Sequence, residues 1–219
     1  MPIGIRELSP GDRHAFECIV ALYREAIELS EQRPEAELRA LLSRHDYQVL
    51  AAERDGAVAA FAISYVPSDR DFWLFEYAAT LPLERGQGIG ARLFRQAGVT
   101  AGKGRIGLVE VDSESDGAHE AAGRRLRFYA RLGCRVVRGL NYLLPLRTHG
   151  VPPPMLLLAL APSGMTNVPR DAIERWLRLL YVDVYYQNAD DPRIAEMVRG
   201  LPYEVKLAEI QPSPGRATP

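Results

Sequence analysis

The stretch from Phe72 to Gly98, FWLFEYAATLPLERGQGIGARLFRQAG, decides the fold of this chain. Its first nine residues, through Thr80, include only two polar side chains, which predicts a strand buried on both faces. Pro82 cannot donate a main-chain hydrogen bond, so we expect the strand to end near Leu81. A glycine-rich segment follows, and apolar residues at helical spacing begin directly after it. The stretch therefore predicts a strand, a glycine loop and a helix.

The glycine loop, RGQGIG at residues 85–90, has the properties of an anion site. Glycines let the backbone approach a ligand, and the first turn of a helix has main-chain N–H groups without an intrahelical partner. Gly86 and Gly88 start a GxGxxG pattern that ends on Ala91, a variant that dinucleotide-binding loops tolerate. The alternative is an ordinary strand-to-helix turn. Phosphate is the expected ligand.

The composition narrows the class of protein. A chain of 219 residues with 47% hydrophobic residues can bury a core, and a net charge of -1 argues against nucleic acid as a main partner. The two cysteines and four histidines show no metal-ligand spacing, so no metal is expected. No apolar run is long enough for a bilayer and the N-terminus lacks a signal pattern, which predicts a cytoplasmic protein with no membrane partner.

The rest of the chain alternates between strand and helix patterns. Ser9-Pro10 predicts a helix start, with Ser9 as the cap and Pro10 at the first helical position. Pro34 opens a second helix, and Asp55-Gly56 predicts a hairpin. Strands are predicted at residues 3–8, 47–53, 57–66, 106–112, 134–146 and 155–161, and helices follow the glycine loop and span 119–131. The order is β-α-α-β-β-β-α-β-α-β-β.

A C-terminal segment follows this pattern. Residues 162–169 have the composition of a linker, residues from Asp191-Pro192 predict a short helix, and residues 211–219 predict a disordered tail. Between linker and short helix lies one apolar helical stripe of seven residues: Ile173, Trp176, Leu177, Leu180, Tyr181, Val184 and Tyr185. Either the stripe's own domain or a second copy must cover it. We expect the second copy, in a homodimer.

Two motifs resemble one known family. Arg85-Gly86-Gln87-Gly88-Ile89-Gly90 resembles the Arg/Gln-x-x-Gly-x-Gly/Ala signature of the GNAT superfamily, the acyl-coenzyme A-dependent N-acyltransferases. RFYARLGCRVV, from Arg127 to Val137, resembles that family's helix carrying Tyr before Lys/Arg-x-Gly-Phe. The resemblance covers residues 3–162 and implies an α/β fold with a mixed central sheet flanked by helices. The predicted domains are an acetyltransferase domain at 1–162, a helical extension at 163–210 and the tail.

The resemblance also implies a cofactor and where it binds. Acetyl-coenzyme A would be the acyl donor, without a metal. The end of the first quoted strand would hold the pantetheine through the main chain at Thr80, Leu81 and Leu83. The pyrophosphate would bind the N–H groups of Arg85, Gly86, Gln87, Gly88, Ile89, Gly90 and Ala91. Ala122 and Cys134 depart from the family pattern, which has Asn and Phe there.

Tyr129 corresponds to the family tyrosine that protonates the leaving thiolate. A phenol suits this step, because its apolar ring can be held in place while its O–H donates. The alternative is a core tyrosine on an amphipathic helix.

The proton acceptor for the amine is harder to place. Glu76 is the first candidate, because it is a carboxylate inside an otherwise apolar strand. The family motif does not carry this role over to Glu76. An ion pair with a buried arginine is an equal alternative, and Glu110 and Asp112 on the next strand are rival bases.

These patterns predict an acetyl-coenzyme A-dependent N-acetyltransferase that moves the acetyl group to a primary amine by direct attack. One alternative is a coenzyme A-binding sensor or scaffold without transfer activity. Another is an acyltransferase with a longer acyl donor. The net charge disfavours a large anionic acceptor, which leaves small amines and peptides.

Overall fold

The computed structural model describes residues 2–113, 119–145 and 154–211. The predicted tail beyond residue 211 and the predicted end of the strand at residue 146 lie outside the described residues. The described chain divides into two compact units, residues 2–107 and residues 108–145 with 154–211. This division does not coincide with the domain boundary predicted at residue 162.

Each unit combines strands and helices. The first unit contains β1 (Gly4–Glu7), α1 (Arg13–Ala26), α2 (Glu35–Leu41), β2 (Tyr47–Arg54), β3 (Ala57–Tyr65), β4 (Phe72–Thr80) and α3 (Ile89–Ala101). β5 (Ile106–Asp112) begins with the last two residues of the first unit. The second unit continues with α4 (His119–Arg131), β6 (Arg135–Val137), β7 (Met155–Leu160), β8 (Asn167–Pro169), α5 (Arg170–Leu179), α6 (Pro192–Val198) and β9 (Glu204–Glu209).

The first unit has an antiparallel sheet in the order β1-β2-β3-β4. The predicted hairpin between β2 and β3 is confirmed, and Asp55 and Gly56 have φ values of 52° and 80°. Two successive positive φ values define a type I′ turn, whose twist matches that of the flanking strands. Local sequence alone is enough to set this hairpin.

β4 supplies the core on both faces of this sheet. Trp73 and Phe75 pack against Phe94 of α3, with ring centroids 5.5 and 5.0 Å from it. On the other face, Tyr77 meets Tyr23 of α1 edge-on at 5.0 Å. The apolar run of β4 is therefore explained by helices on both sides, as the sequence predicts.

A β-bulge interrupts the pairing of β3 with β4 at Glu76. Ile63 pairs with Tyr77 and Ser64 pairs with Phe75, so Glu76 is the extra residue on β4. A bulge leaves one residue without a cross-strand partner and redirects its side chain. The bulge therefore turns the Glu76 carboxylate out of the ladder.

The start of α1 differs from the prediction. The helix begins at Arg13 rather than at Pro10, and Asp12 stands at the N-cap position. The main-chain N–H and the hydroxyl of Ser9 both donate to Asp12 Oδ2, and Arg6 donates to Oδ1. These donors, with the Ser9 N–H first, lower the pKa of Asp12 to about 2. Because Ser9 bonds to Asp12 in this turn, it is not the helix cap.

The second unit has strands in the order β5-β7-β6-β9-β8. The strand predicted at 134–146 is reduced to β6, because Gly139 (φ 82°) turns the chain away and Tyr142 keeps only an isolated bridge to Met155. β9 pairs antiparallel with β6 and with β8. The predicted linker at 162–169 therefore contains a strand, and the C-terminal segment is not purely helical.

The apolar stripe of the C-terminal segment is covered within one copy of the chain. Ile173, Leu177, Leu180, Tyr181 and Val184 have no exposed surface, and Trp176 and Tyr185 are buried as well. The expectation that a second copy covers this stripe is corrected, so the stripe no longer supports a homodimer. Among the described residues, no helix is both long and apolar enough to cross a membrane.

We expect Gly107→Ala in β5 to lower the free energy of unfolding by about 1–3 kcal/mol. A Cβ at this position would lie 2.5 Å from Cζ2 of Trp73, whose buried ring cannot move aside freely. Gly4→Ala in β1 is the matched control, since nothing lies within 4 Å of its Cβ position. Urea titration of both variants measures the difference, and equal midpoints would contradict this packing.

Candidate active site

The glycine loop leads from β4 into α3 through two residues with positive φ. Gly86 has φ 80°, and Gly88 has φ 75° at the N-cap of α3. The first main-chain bond of the helix runs from Arg92 N–H to Gly88 C=O at 3.1 Å. The N–H groups of Ile89, Gly90 and Ala91 therefore precede the first intrahelical bond and belong to the positive end of the helix dipole. This is the geometry of an anion site.

Side chains hold the glycine loop in place. Gln87 Oε1 accepts from Arg54 Nη2 at 2.5 Å, and Gln87 Nε2 donates to Glu84 Oε2 at 3.1 Å. Arg54 also pairs with Glu84 at 3.1 Å. Arg85 Nε donates to the Thr80 carbonyl at 3.2 Å. These hydrogen bonds fix the loop at its flanks, while residues 85 to 88 stay exposed.

The three residues predicted to bind pantetheine differ in the hydrogen bonds that their main chain already makes and in their exposure. Leu81 donates to the Ala59 carbonyl at 2.9 Å and accepts from Glu84 N–H at 2.9 Å. The Thr80 carbonyl accepts from Arg85. Leu83 has 94% of its surface exposed. A ligand at Leu81 would therefore replace existing hydrogen bonds.

Glu76 lies in a buried ion pair. Arg33, on the segment between α1 and α2, donates to Glu76 Oε1 from Nε at 2.9 Å and from Nη2 at 2.6 Å. The side chains of Arg33 and Glu76 are 0% and 1% exposed. Of the two readings of Glu76, the ion pair with a buried arginine is the one that this geometry supports. The ion pair weighs against Glu76 as a base, a role that stays a prediction.

Tyrosines complete the surroundings of this ion pair. Arg33 N–H donates to the Tyr23 hydroxyl at 2.8 Å, and Arg33 Nη2 donates to the Tyr47 hydroxyl at 3.1 Å. Burial raises the pKa of Tyr47 and Tyr77 well above the usual value, and the charge of Glu76 adds to the rise. Burial lowers the pKa of Arg33, but Glu76 and the tyrosines outweigh it and leave this pKa raised.

Tyr129 lies near the end of α4, in the second unit. Gly133 (φ 89°) ends the helix, and Cys134 N–H returns to the Tyr129 carbonyl at 3.1 Å. Burial raises the pKa of Tyr129 above the usual value, with a smaller contribution from Cys134. Burial also raises the pKa of Cys134 to about 12. A phenol with a raised pKa remains protonated at neutral pH, as a proton donor must.

The second unit holds another carboxylate with tyrosine partners. The Tyr142 hydroxyl donates to Glu110 Oε1, and the Tyr185 hydroxyl donates to Glu110 Oε2. On the same strand, Asp112 pairs with Arg125. Sequence reasoning named Glu110 and Asp112 as rival bases but missed both tyrosines, which are 32 and 75 residues from Glu110. The apolar stripe was the only signal for Tyr185, and it predicts burial alone.

Residues 45–135, from the start of the hairpin strands to the beginning of β6, match the family model for the acetyltransferase (GNAT) domain. The glycine loop and Tyr129 both lie inside this segment. The resemblance that the two motifs predict is therefore confirmed. The matched family is one of acetyltransferases, which implies acyl transfer from coenzyme A. Within the described residues, no group of His, Cys, Asp and Glu side chains could hold a metal ion.

Several solved structures share the fold. A Bacteroides thetaiotaomicron protein assigned to the GNAT family of acetyltransferases has a TM-score of 0.69 and 22% identity, over 84% of this chain and 99% of that one. NAA60 of Arabidopsis thaliana, in complex with acetyl-CoA, has a TM-score of 0.56 and 16% identity, over 74% of this chain and 100% of that one. The ribosomal-protein-S18-alanine N-acetyltransferase of Escherichia coli has a TM-score of 0.54 and 19% identity, over 75% of this chain and 99% of that one.

At such identities, the likeness establishes the fold alone. This chain has a GNAT-like α/β fold with a mostly antiparallel sheet flanked by helices. It is a fold that holds acetyl-CoA in the Arabidopsis structure. Among curated proteins, none matches the sequence.

Arg33→Met should lower the free energy of unfolding by about 3–5 kcal/mol, because it leaves the Glu76 carboxylate buried without its cation. Arg24→Met is the control, since Arg24 pairs with Glu35 at the surface and should contribute less than about 1 kcal/mol. Denaturant unfolding followed by circular dichroism measures both changes.

A second variant shows whether the loss comes from the charge. Adding Glu76→Leu to Arg33→Met removes the unpaired carboxylate and should recover part of the lost stability. If the double variant is no more stable than Arg33→Met, the ion pair is not the reason for the loss.

Proposed function

We propose that this protein is an acetyl-coenzyme A-dependent N-acetyltransferase that transfers the acetyl group to a primary amine by direct attack. The observation that carries the proposal is the exposed glycine loop at the N-terminus of α3, inside the segment that matches the GNAT domain. Thiol release from acetyl-coenzyme A, measured over a panel of amines, tests it directly. A folded protein that releases no thiol with any amine would argue for a sensor or scaffold instead.

The glycine loop would bind the pyrophosphate of the cofactor. The main-chain N–H groups from Arg85 to Ala91 offer donors, and the helix dipole favours the negative charge. The Arg85 guanidinium adds a positive charge at the exposed start of the loop. Thr80, Leu81 and Leu83 are the proposed main-chain contacts to pantetheine. The cofactor would supply the activated acetyl group, and the protein would position it.

Tyr129 would act as the general acid. When the carbon–sulfur bond breaks, the thiolate needs a proton, and the Tyr129 phenol, whose pKa burial raises, is protonated and can donate one. Its main chain is held at the end of α4, where the Tyr129 carbonyl accepts from Cys134 N–H.

The proton of the amine needs an acceptor, and the carboxylates are not equally suited. Glu76 Oε2 has no hydrogen-bond partner among the described residues, but its side chain is 1% exposed and its other oxygen is paired with Arg33. Asp112 is committed to Arg125. Glu110 is half-buried and is bonded to two neutral hydroxyl groups. Glu76 and Glu110 are therefore the two proposed candidates for the base.

The acceptor is a primary amine, and its further identity follows from the activity panel rather than from the fold. One structural relative, the Escherichia coli enzyme, is named for an alanine of a ribosomal protein, so peptide amines belong in the panel beside small amines. A longer acyl donor is tested in the same assay by exchanging acetyl-coenzyme A for longer acyl thioesters.

Gly88→Glu should weaken coenzyme A binding by more than tenfold, which is a loss above about 1.4 kcal/mol. The glutamate would add bulk and negative charge where the pyrophosphate is proposed to bind. Gly56→Glu is a matched control, because Gly56 has a similar φ of 80° and equally open surroundings but lies in the β2–β3 hairpin. Calorimetric titration of both folded variants measures the affinities. Equal affinities would contradict the cofactor site.

Tyr129→Phe should lower kcat by about a hundredfold while the affinity for coenzyme A stays nearly unchanged, because only the O–H is removed. Tyr203→Phe is the control, since Tyr203 is 70% exposed. Steady-state kinetics with a saturating amine separate kcat from KM. A kcat within twofold of the unmodified protein would show that another group protonates the thiolate.

A further inference from the structure

Three side chains form a closed network between the β2–β3 hairpin and the glycine loop. Arg54 is the last residue of β2, Glu84 directly precedes the loop, and Gln87 lies inside it. Arg54 Nη2 donates to Gln87 Oε1 at 2.5 Å and lies 3.1 Å from Glu84 Oε2, to which Gln87 Nε2 also donates at 3.1 Å. Each member of this Arg54 network therefore contacts the other two.

The network anchors a part of the loop that has few main-chain hydrogen bonds. Gln87 stands between Gly86 and Gly88, and both glycines have positive φ values. Among the described residues, no main-chain hydrogen bond uses the N–H group of any of these three. Glycine loses more conformational freedom on ordering than any other residue, so such a loop needs an anchor to keep one conformation. The Gln87 side chain provides this anchor.

The hairpin places Arg54 beside the loop. Arg54 pairs with Ala57 at the last position of β2 before the type I′ turn. A bulge in the pairing of β2 with β3 leaves Ala59 as the extra residue on β3. The Ala59 carbonyl accepts from Leu81 N–H at 2.9 Å, which joins this end of the hairpin to the end of β4. Arg54 therefore reaches the loop from a strand whose register is fixed.

Arg54 also compensates a negative charge. Glu84 places a carboxylate one residue before the loop that is proposed to bind the pyrophosphate. The side chains of Arg54 and Glu84 are 31% and 21% exposed, so solvent screens this pair less than a fully exposed one. Arg54 Nε is buried, so this side chain is not extended into solvent. Without Arg54, the Glu84 carboxylate would repel an approaching phosphate.

We propose that Arg54 is a positioning residue for the acyl donor, which holds Gln87 and compensates Glu84 so that the loop is ordered before a diphosphate binds. A preordered loop loses less conformational freedom on binding, and this raises the affinity. The effect acts on the diphosphate, so it favours coenzyme A and its thioesters over thioesters of pantetheine alone. This inference rests on the coenzyme A site of the proposed function and does not depend on acetyl transfer itself.

The first test compares the coenzyme A affinity of Arg54→Met and Arg6→Met by calorimetric titration. Arg6, on β1, is the matched control, because its side chain is 42% exposed and pairs with Glu53 and Asp12 rather than with the loop. We expect Arg54→Met to weaken binding about fivefold or more, because the loop loses its anchor and Glu84 faces the ligand. Arg6→Met should change the affinity by less than about twofold. Circular dichroism shows whether both variants are folded.

Two double-mutant cycles separate positioning from a general loss of stability. Added to Arg54→Met, Glu84→Gln should recover about twofold or more of the lost affinity, because it removes the uncompensated charge. This second change restores no contact of Arg54, so it would not recover a loss caused by unfolding. In a Gln87→Ala background, Arg54→Met should weaken binding less than in the unmodified protein, because the bond between the two residues is already absent.

The inference is overturned if Arg54→Met and Arg6→Met bind coenzyme A equally, or if neither Glu84→Gln nor Gln87→Ala alters the effect of Arg54→Met. If the unmodified protein binds no coenzyme A, the cofactor site of the proposed function fails and this inference fails with it. If the protein binds coenzyme A but releases no thiol with any amine, the transfer activity alone fails, and the titrations of the Arg54 variants still decide the inference.

Discussion

The Arg33–Glu76 ion pair is the constraint on which the first unit depends. A carboxylate that interrupts the apolar run of β4 needs a buried partner, and the bulge at Glu76 turns it toward one. Arg33 meets this need only if the segment between α1 and α2 reaches β4, and its N–H bond to the Tyr23 hydroxyl secures that position. The Glu76 carboxylate thus accounts for the bulge in β4 and for the position of the segment between α1 and α2. Through Arg33 it is also linked to the Tyr23 and Tyr47 hydroxyl groups.

Glu76 and Glu110, two carboxylates in apolar strands, show how different the surroundings of the same side chain can be. Glu76 is matched to a guanidinium, and Glu110 is matched to two phenols. The ion pair of Glu76 with Arg33 has a structural role, because removal of either residue leaves the charge of the other buried without a partner. In the second arrangement, the Tyr142 and Tyr185 hydroxyl groups each donate to one oxygen of the carboxylate. Residue type and position in an apolar strand are the same in both cases, so neither could have separated them.

Local patterns explain which parts of the fold the sequence predicts. β4, the glycine loop and α3 follow from a short apolar run, three glycines and helical spacing, all within one continuous stretch. The sequence analysis missed β9, although its Val205 and Leu207 alternate with polar residues. A strand this short forms because it pairs with β6, and that pairing is not visible in the local sequence. Arg33 was missed as the partner of Glu76 because 43 residues separate them. Such pairings appear only when the chain is folded.

The C-terminal segment is more than an addition to a finished domain. β9 lies between β6 and β8, so it completes the sheet of the second unit, and the stripe on α5 supplies part of its core. The matched family model ends at residue 135, before β8, α5 and β9. The two tyrosines that donate to Glu110, Tyr142 and Tyr185, therefore lie in the part of the chain that the family model does not match.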